Sequence, residues 1–319
     1  MPSKIPDINK VRQIIPPLSK DLHKGQAGRV GVVGGSEEYT GAPFFSAISA
    51  MKLGADLCHV FCEPGAGIVI KSYAPDLIVH PYMRTSDKKE SVKDIVERVT
   101  NVFTRLHVLV VGPGLSRDQC MQDSAKEIIL KARELNMAIV LDADGLFLVQ
   151  NHPDVVKGYK KAVLTPNVVE FKRLCEVMKV STEDKDKDTA AIKLSQAMGG
   201  VTIVQKGPVD LITNGDEVLR CEVEGGLRRV GGQGDILSGT IATFLAWGKA
   251  YEDGVWKHAN EIDSKDIAML ASWAGCSVTR DCSHRGFAKY GRALLTSQIL
   301  EEIGPAFEKF AEQTPPSRM

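Results

Sequence analysis

The chain has 319 residues, 40 Lys and Arg against 40 Asp and Glu, a formal net charge of zero and 43% hydrophobic residues. That length buries a substantial core as one large domain or two small ones. Charge balance excludes a general nucleic-acid or anionic-membrane surface, which needs a basic excess, and no apolar run reaches the span of a bilayer helix, so neither nucleic acid nor membrane is an expected partner.

Residues 1–24 carry Pro2, Pro6 and Pro16-Pro17 and read as an extended lead-in with at most a short helix. They contain Asp7 and Asp21 and no long apolar core, unlike a secretory signal or an acid-poor transit peptide, so cytoplasm is the expected compartment. The seven cysteines are dispersed without a C-x-x-C pair, as suits reduced thiols. On a strand, Cys58 and Cys62 share one face and His59 points to the other, which argues for small buried side chains rather than zinc.

The first expected core strand is Arg29 to Val33, followed by the glycine-rich loop Gly34 to Ala42 and a helix from Phe44 to Gly54 with Pro43 in its first turn. The G-x-G-x-x-G spacing of a dinucleotide fold is absent. Further strands are expected at Leu57–Cys62, Leu77–His80, Leu106–Val111, Ala138–Leu141, Lys161–Leu164 and Val201–Val204. Helices are expected between them at Ser91–Phe103, Cys120–Asn136, Val168–Met178 and Thr189–Met198. Asn214-Gly215-Asp216 joins Val209–Thr213 and Glu217–Val223 as an antiparallel hairpin. Three helices close the chain: Ile236–Trp247, Ser264–Thr279 and Arg292–Phe310. The pattern specifies an α/β fold with a mostly parallel sheet, helices on both faces and a small antiparallel element after the last parallel strands. One domain spans 25–311, with a disordered tail at 312–319, and the mixed charges of Ser181 to Asp188 read as a solvated loop.

Ligands of open α/β sheets bind beyond the carboxyl ends of the strands. Those ends lead into Gly112-Pro113-Gly114, Asp142-Ala143-Asp144-Gly145, Thr165-Pro166-Asn167 through Glu170, and Gln205-Lys206-Gly207-Pro208. Each has an ordinary reading as turn, cap or surface lysine. Together they describe a small-molecule pocket with carboxylates Asp142, Asp144, Glu170 and Asp235 and the cation Lys206. Gly225-Gly226-Leu227-Arg228-Arg229-Val230-Gly231-Gly232-Gln233-Gly234-Asp235 adds a glycine-rich turn before an apolar helix, a backbone suited to phosphate. Asp235 is then either a helix cap or a general base beside the phosphate. Nest and carboxylates suggest a nucleoside triphosphate with a divalent metal, and no Walker A motif is present.

These motifs, with Gly34-Gly35-Ser36 and Tyr39-Thr40-Gly41-Ala42, resemble the ATP- or ADP-dependent NAD(P)H-hydrate dehydratases of the ribokinase-like superfamily, over about Gly25 to Phe310. The form Gly231-Gly232-Gln233-Gly234-Asp235 resembles the ATP-using eukaryotic branch. The resemblance implies ATP-dependent dehydration of hydrated NADH or NADPH, by phosphorylation of the C6 hydroxyl and elimination of phosphate. It implies Asp235 as the base that accepts the hydroxyl proton. It places Gly114, Asn167, Val168, Val169, Glu170, Phe171, Lys172, Arg173 and Asp235 against the hydrated dinucleotide. Lys206, Gly207, Pro208, Val209 and Asp210, with Gly225 through Gly234, would contact ATP. Asn167-x-x-Glu170 is similar to an element that helps place Mg²⁺, making Glu170 an indirect metal residue. A separate NAD(P)H-hydrate epimerase is the implied functional partner, and a homo-oligomer is compatible with the sequence. Two alternatives stand beside this reading. One is a ribokinase-like kinase that stops at the phosphoester; the other is a nucleotide sensor in which Asp235 only caps its helix.

Overall fold

A computed structural model describes residues 5–183, 187–259 and 261–311. The sheet is built from β1 (Arg29–Val33), β2 (Leu57–Phe61), β3 (Ile78–His80), β4 (Val108–Val111), β5 (Ala138–Leu141), β6 (Ala162–Leu164), β7 (Thr202–Gln205), β8 (Asp210–Thr213) and β9 (Val218–Cys221). Their order is β3-β2-β1-β4-β5-β6-β7-β8-β9. Strands β1 to β7 pair in parallel, whereas β7–β8 and β8–β9 are antiparallel. The expected hairpin therefore extends the sheet at one edge.

Strand alternation divides the apolar side chains between two cores. Val108 and Val110 face one side with Val30, Val32, Val140 and Val163; Leu109 and Val111 face the other with Ile139, Leu141 and Leu164. Burial on both faces explains why the strands read as nearly continuous apolar runs. The first face is covered by α1 (Ile8–Gln13), α2 (Gly41–Leu53), α3 (Pro64–Tyr73), α9 (Gln233–Glu252), α10 (Ser264–Tyr290), α11 (Thr296–Leu300) and α12 (Ile303–Ala311). The second is covered by α4 (Val92–Thr100), α5 (Gln119–Glu134), α6 (Asp144–Asn151), α7 (Val168–Val177) and α8 (Lys187–Ala197).

Among its described residues the lead-in holds one short helix, α1, within the expectation for it. Asp7 caps α1 by accepting the Asn9 amide at 2.9 Å, and Val11 and Ile14 are fully buried in the first core. The sequence reading misses α3 because Pro64, Gly65 and Gly67 dilute its helical pattern; Glu63 starts it by accepting the Ala66 amide at 3.1 Å. Helix α10 runs eleven residues past the expected end at Thr279. The charged residues that interrupt its apolar pattern are paired instead: Asp281 with Arg285 at 2.6 Å and with Lys309 at 3.0 Å. The single helix expected at 292–310 is two, separated at residues 301–302, with Pro305 in the first turn of α12, where its missing N–H costs nothing. Part of the 181–188 charge run and the 312–319 tail lie outside the described residues.

The order reverses at β1, whose neighbours are β2 and β4, so the loops after β1 and β4 flank a topological switch point. They are in direct contact: Gly35 N–H donates to Gly114 O at 3.0 Å, and a Cβ on Gly34 would lie 2.0 Å from Pro113 O. Only glycine permits that approach.

Candidate active site

The cavity that gathers most of the sequence-selected residues has a volume of about 720 Å³. It lies beyond the carboxyl ends of β5, β6 and β7, between the turn before α9 and the flank of α10.

Its anion-binding wall is the start of α9. The helix begins at Gln233, three residues before the expected Ile236, because Gly232 takes φ +99° as the N-cap. A Cβ there would lie 2.7 Å from Thr296 Cγ2 and 3.0 Å from Phe45 Cδ2, so the turn depends on glycine both for its dihedral and for space. Among the described residues, the amides of Gly231, Gly232, Gln233, Gly234 and Asp235 have no acceptor; the first helical bond is Ile236 N–H to Gly232 O at 3.1 Å. Unpaired amides at the positive end of a 20-residue helix form an anion cradle.

Asp235 occupies the third helical position, not the cap, and its side chain makes no capping hydrogen bond. It is 9% exposed. Burial, and then the nearby Asp142 carboxylate, push its pKa well above the ordinary aspartate value, with Lys206 opposing them. A buried carboxylate without a hydrogen-bonded partner is poorly suited to structure and well suited to taking a proton.

Opposite the cradle stands a paired charge. Lys206 Nζ donates to Asp142 Oδ1 at 2.8 Å, and Thr165 Oγ donates to the same oxygen at 2.8 Å. Burial alone would lower the Lys206 pKa, but Asp142, Glu170 and Asp235 outweigh it and hold the ammonium above its usual value. The position of a Cβ on Gly234 would be 3.4 Å from both Asp142 Oδ2 and Lys206 Nζ, which sets the pair directly against the cradle. Asp142 itself is held by a tight turn closed by Gly145 N–H to Asp142 O at 2.9 Å. Within that turn Ala143 is forced to φ +48° and ψ −117°, the first central position of a type II′ turn, which favours glycine.

The element Asn167-x-x-Glu170 is a reciprocal capping box. Asn167 Oδ1 accepts from Val169 N–H at 2.9 Å and Glu170 N–H at 3.0 Å, while Glu170 Oε2 accepts from Asn167 N–H at 2.8 Å. Burial raises the Glu170 pKa, with Lys206 opposing it. Glu170 thus caps α7 and also lines the cavity.

Of the residues selected from sequence, Asn167, Val168, Glu170, Lys206, Gly207, Pro208, Asp210, Gly225, Arg229, Val230 and Gly231 through Asp235 line this cavity. Gly114 does not; it is buried against Tyr39 at the switch point. Phe171 is turned into the second core at 5% exposure, because the helical period carries it away from the face bearing Glu170. Val169 and Lys172 are exposed on α7, and Val209, Gly226, Leu227 and Arg228 lie outside the wall. Asp144, expected in the same pocket, lines a smaller neighbouring cavity with Arg173; its Oδ2 accepts from Ser116 N–H at 2.9 Å.

Sequence reading missed one whole wall: Cys276, Thr279, Arg280 and Ser283 of α10. Arg280 ties the loop after β7 to the segment after β9. Its Nη1 donates to Asp210 Oδ2 at 3.1 Å and Gly207 O at 3.2 Å, its Nη2 to Pro208 O, and its Nε to Val223 O. The only sequence signal for it is an arginine within a buried helix, a charge that burial permits only when paired.

Lys206→Ala should weaken ATP binding more than binding of the hydrated dinucleotide, because it removes the cation facing the cradle. Calorimetric titration with each ligand separately checks this, and equal losses would refute it.

The sheet order, the antiparallel strands at one edge and the amide cradle with its adjacent carboxylate define a ribokinase-like α/β protein with an anion cradle beyond its strand ends. A ribokinase-like superfamily protein from Enterococcus faecalis superposes with a TM-score of 0.76 at 22% identity, over 97% of each chain. An ADP/ATP-dependent NAD(P)H-hydrate dehydratase from Bacillus subtilis, co-crystallised with ATP and Mg²⁺, superposes with a TM-score of 0.71 at 19% identity, over 97% of this chain and 99% of that one. The NAD(P)H-hydrate dehydratase family model matches residues 30–305. Proteins named ATP-dependent (S)-NAD(P)H-hydrate dehydratase are 48% identical in Phaeosphaeria nodorum, over 94% of this chain and 93% of the relative. In Homo sapiens the identity is 46%, over 95% and 84%. The chain belongs to the NAD(P)H-hydrate dehydratase family.

Proposed function

We infer that this protein uses ATP to dehydrate hydrated NADH and NADPH, regenerating the dinucleotide and releasing ADP and phosphate. Its relatives' names specify the S epimer, which we assign to this chain as well. The observation that carries the reading is Asp235: a buried carboxylate without a cap role, following unpaired amides and facing the Lys206–Asp142 pair.

Hydroxide is a poor leaving group, so the reaction is divided. The cradle and Lys206 hold the ATP phosphates and stabilise charge during transfer of the γ-phosphoryl group. Asp235 takes the proton from the C6 hydroxyl as that oxygen attacks phosphorus, and ADP leaves. The C6–O bond of the phosphoester then breaks and releases phosphate, while loss of the neighbouring C5 proton restores the ring double bond.

Among the described residues, no group of three or more His, Cys, Asp or Glu forms a metal cage. The carboxylates present fit Mg²⁺, which is held through few protein groups and the substrate's phosphates. Bound with ATP, Mg²⁺ would neutralise phosphate charge, and Glu170, on the cavity wall, would help place it indirectly.

The test is incubation with hydrated NADH, ATP and Mg²⁺, following dihydronicotinamide absorbance and phosphate release together. Both should rise in parallel. A stable phosphoester without recovery of absorbance would establish the kinase alternative instead.

A further inference from the structure

Beside the main cavity, and sharing Ala143 and Glu170 with it, is a second hollow of about 120 Å³ between α6 and α7. We propose that this hollow is a phosphate subsite for the dinucleotide substrate, with Arg117 and Arg173 as its ligands. The proposal rests on the functional reading above and adds to it a residue, Arg117, and a ligand group.

Arg117 follows the glycine loop after β4, and its guanidinium carbon lies 4.4 Å from the centre of the Phe147 ring. Its Nε is 3.6 Å from Asp144 Oδ1, and Asp144 is anchored in turn by the Ser116 amide. Stacking and ion pair fix the plane of the group, although 59% of the side chain is exposed. No hydrogen bond to another described residue is made by its Nη1 or Nη2. Arg173, on α7, has neither hydrogen bond nor ion pair among the described residues. Two guanidinium groups with unused donors thus flank one hollow, and a planar fork matches phosphate oxygens.

The acids lining the hollow are Asp144 and Glu170. Asp144 faces Arg117, and Glu170 Oε2 is occupied by the Asn167 amide. Lys206 and Arg173 both favour the charged form of Glu170, against its burial and Asp142. A molecule reacting at Asp235 and passing over Ala143 would enter this hollow with its next phosphate. In a hydrated dinucleotide that group is the bridging diphosphate or, in the NADPH form only, the 2′-phosphate.

Steady-state kinetics of Arg117→Ala and Phe147→Leu with hydrated NADH and hydrated NADPH, at saturating and at varied ATP, test this. Loss of charge-assisted hydrogen bonds should raise the dinucleotide KM of Arg117→Ala by about 10- to 100-fold, with the KM for ATP unchanged. Phe147→Leu, which removes the stacking surface and keeps the charge, should give a smaller rise in the same direction. Equal rises for both dinucleotides identify the diphosphate; a rise confined to hydrated NADPH identifies the 2′-phosphate. Dinucleotide KM values within twofold of wild type, or an equal rise in the KM for ATP, would overturn the subsite. Because the wild-type enzyme is assayed alongside, its failure to turn over would strike the functional reading itself, whereas an active wild type with an unaffected Arg117→Ala strikes only the subsite.

Discussion

Asp235→Asn is expected to lower kcat by about 10²- to 10⁴-fold, the range for loss of a general base, with ATP affinity close to wild type. The amide keeps the size of the side chain and leaves the cradle's N–H groups in place, so binding and chemistry separate. Rapid-quench measurement of phosphoryl transfer and calorimetric ATP titration check the two halves; unchanged turnover would remove Asp235 from the mechanism. The same residue sets a pH dependence. Its folded pKa is raised by burial and by Asp142, so the base becomes competent only above the ordinary aspartate range, and the acid limb of kcat/KM should lie there. The stability sign follows from the same shift. A raised folded pKa favours the protonated form, so ionised Asp235 destabilises the fold at neutral pH. Asp235→Asn should therefore raise Tm near pH 7, and the gain should disappear as pH falls toward the aspartate's unfolded value. A variant both inactive and more stable is the expected mark of a residue kept for chemistry at the expense of stability.

Gly232→Ala should abolish most ATP binding, by about 10- to 100-fold in Kd, from a local strain of about 1–3 kcal/mol and displacement of the turn. The position has φ +99°, and its Cβ would meet Thr296 and Phe45 within 3.0 Å. Since those side chains are packed from α11 and α2, the turn must move, and the amides move with it. Gly231→Ala is the informative comparison. No protein atom lies within 4 Å of its Cβ, so the free protein should retain its Tm. ATP affinity of Gly232→Ala within twofold of wild type would mean that the turn is not the phosphate cradle.

The fold could be read from sequence because its strands are buried on both faces. Runs such as Leu106–Val111 and Ala138–Leu141 carry that burial in their composition, and strand after helix admits mainly a parallel sheet. Boundaries were less legible where side chains found distant partners. Helix α10 continues through Arg280, Asp281 and Arg285 because Asp210, Lys309 and neighbouring carbonyls satisfy them, and no local pattern announces those partners. The glycine turn, Asp235 and Lys206 stood out because their residue types suit phosphate chemistry at adjacent strand ends. The α10 wall did not, since Cys276, Thr279 and Ser283 are ordinary helix residues until the helix crosses the cavity.

By itself, then, the sequence determined the α/β class, the residues able to cradle a phosphate, and Asp235 as either base or cap. Tertiary structure places the helix start at Gln233, so that the carboxylate is the third helical residue, buried and without a capping bond, which supports the base reading. It also decided that Asp142 meets Lys206, that Asp144 belongs to a different hollow, and that Phe171 belongs to the core. Periodicity fixes which way a side chain points from its own element, whereas the groups it meets there depend on contacts between segments as far apart as residues 142 and 206.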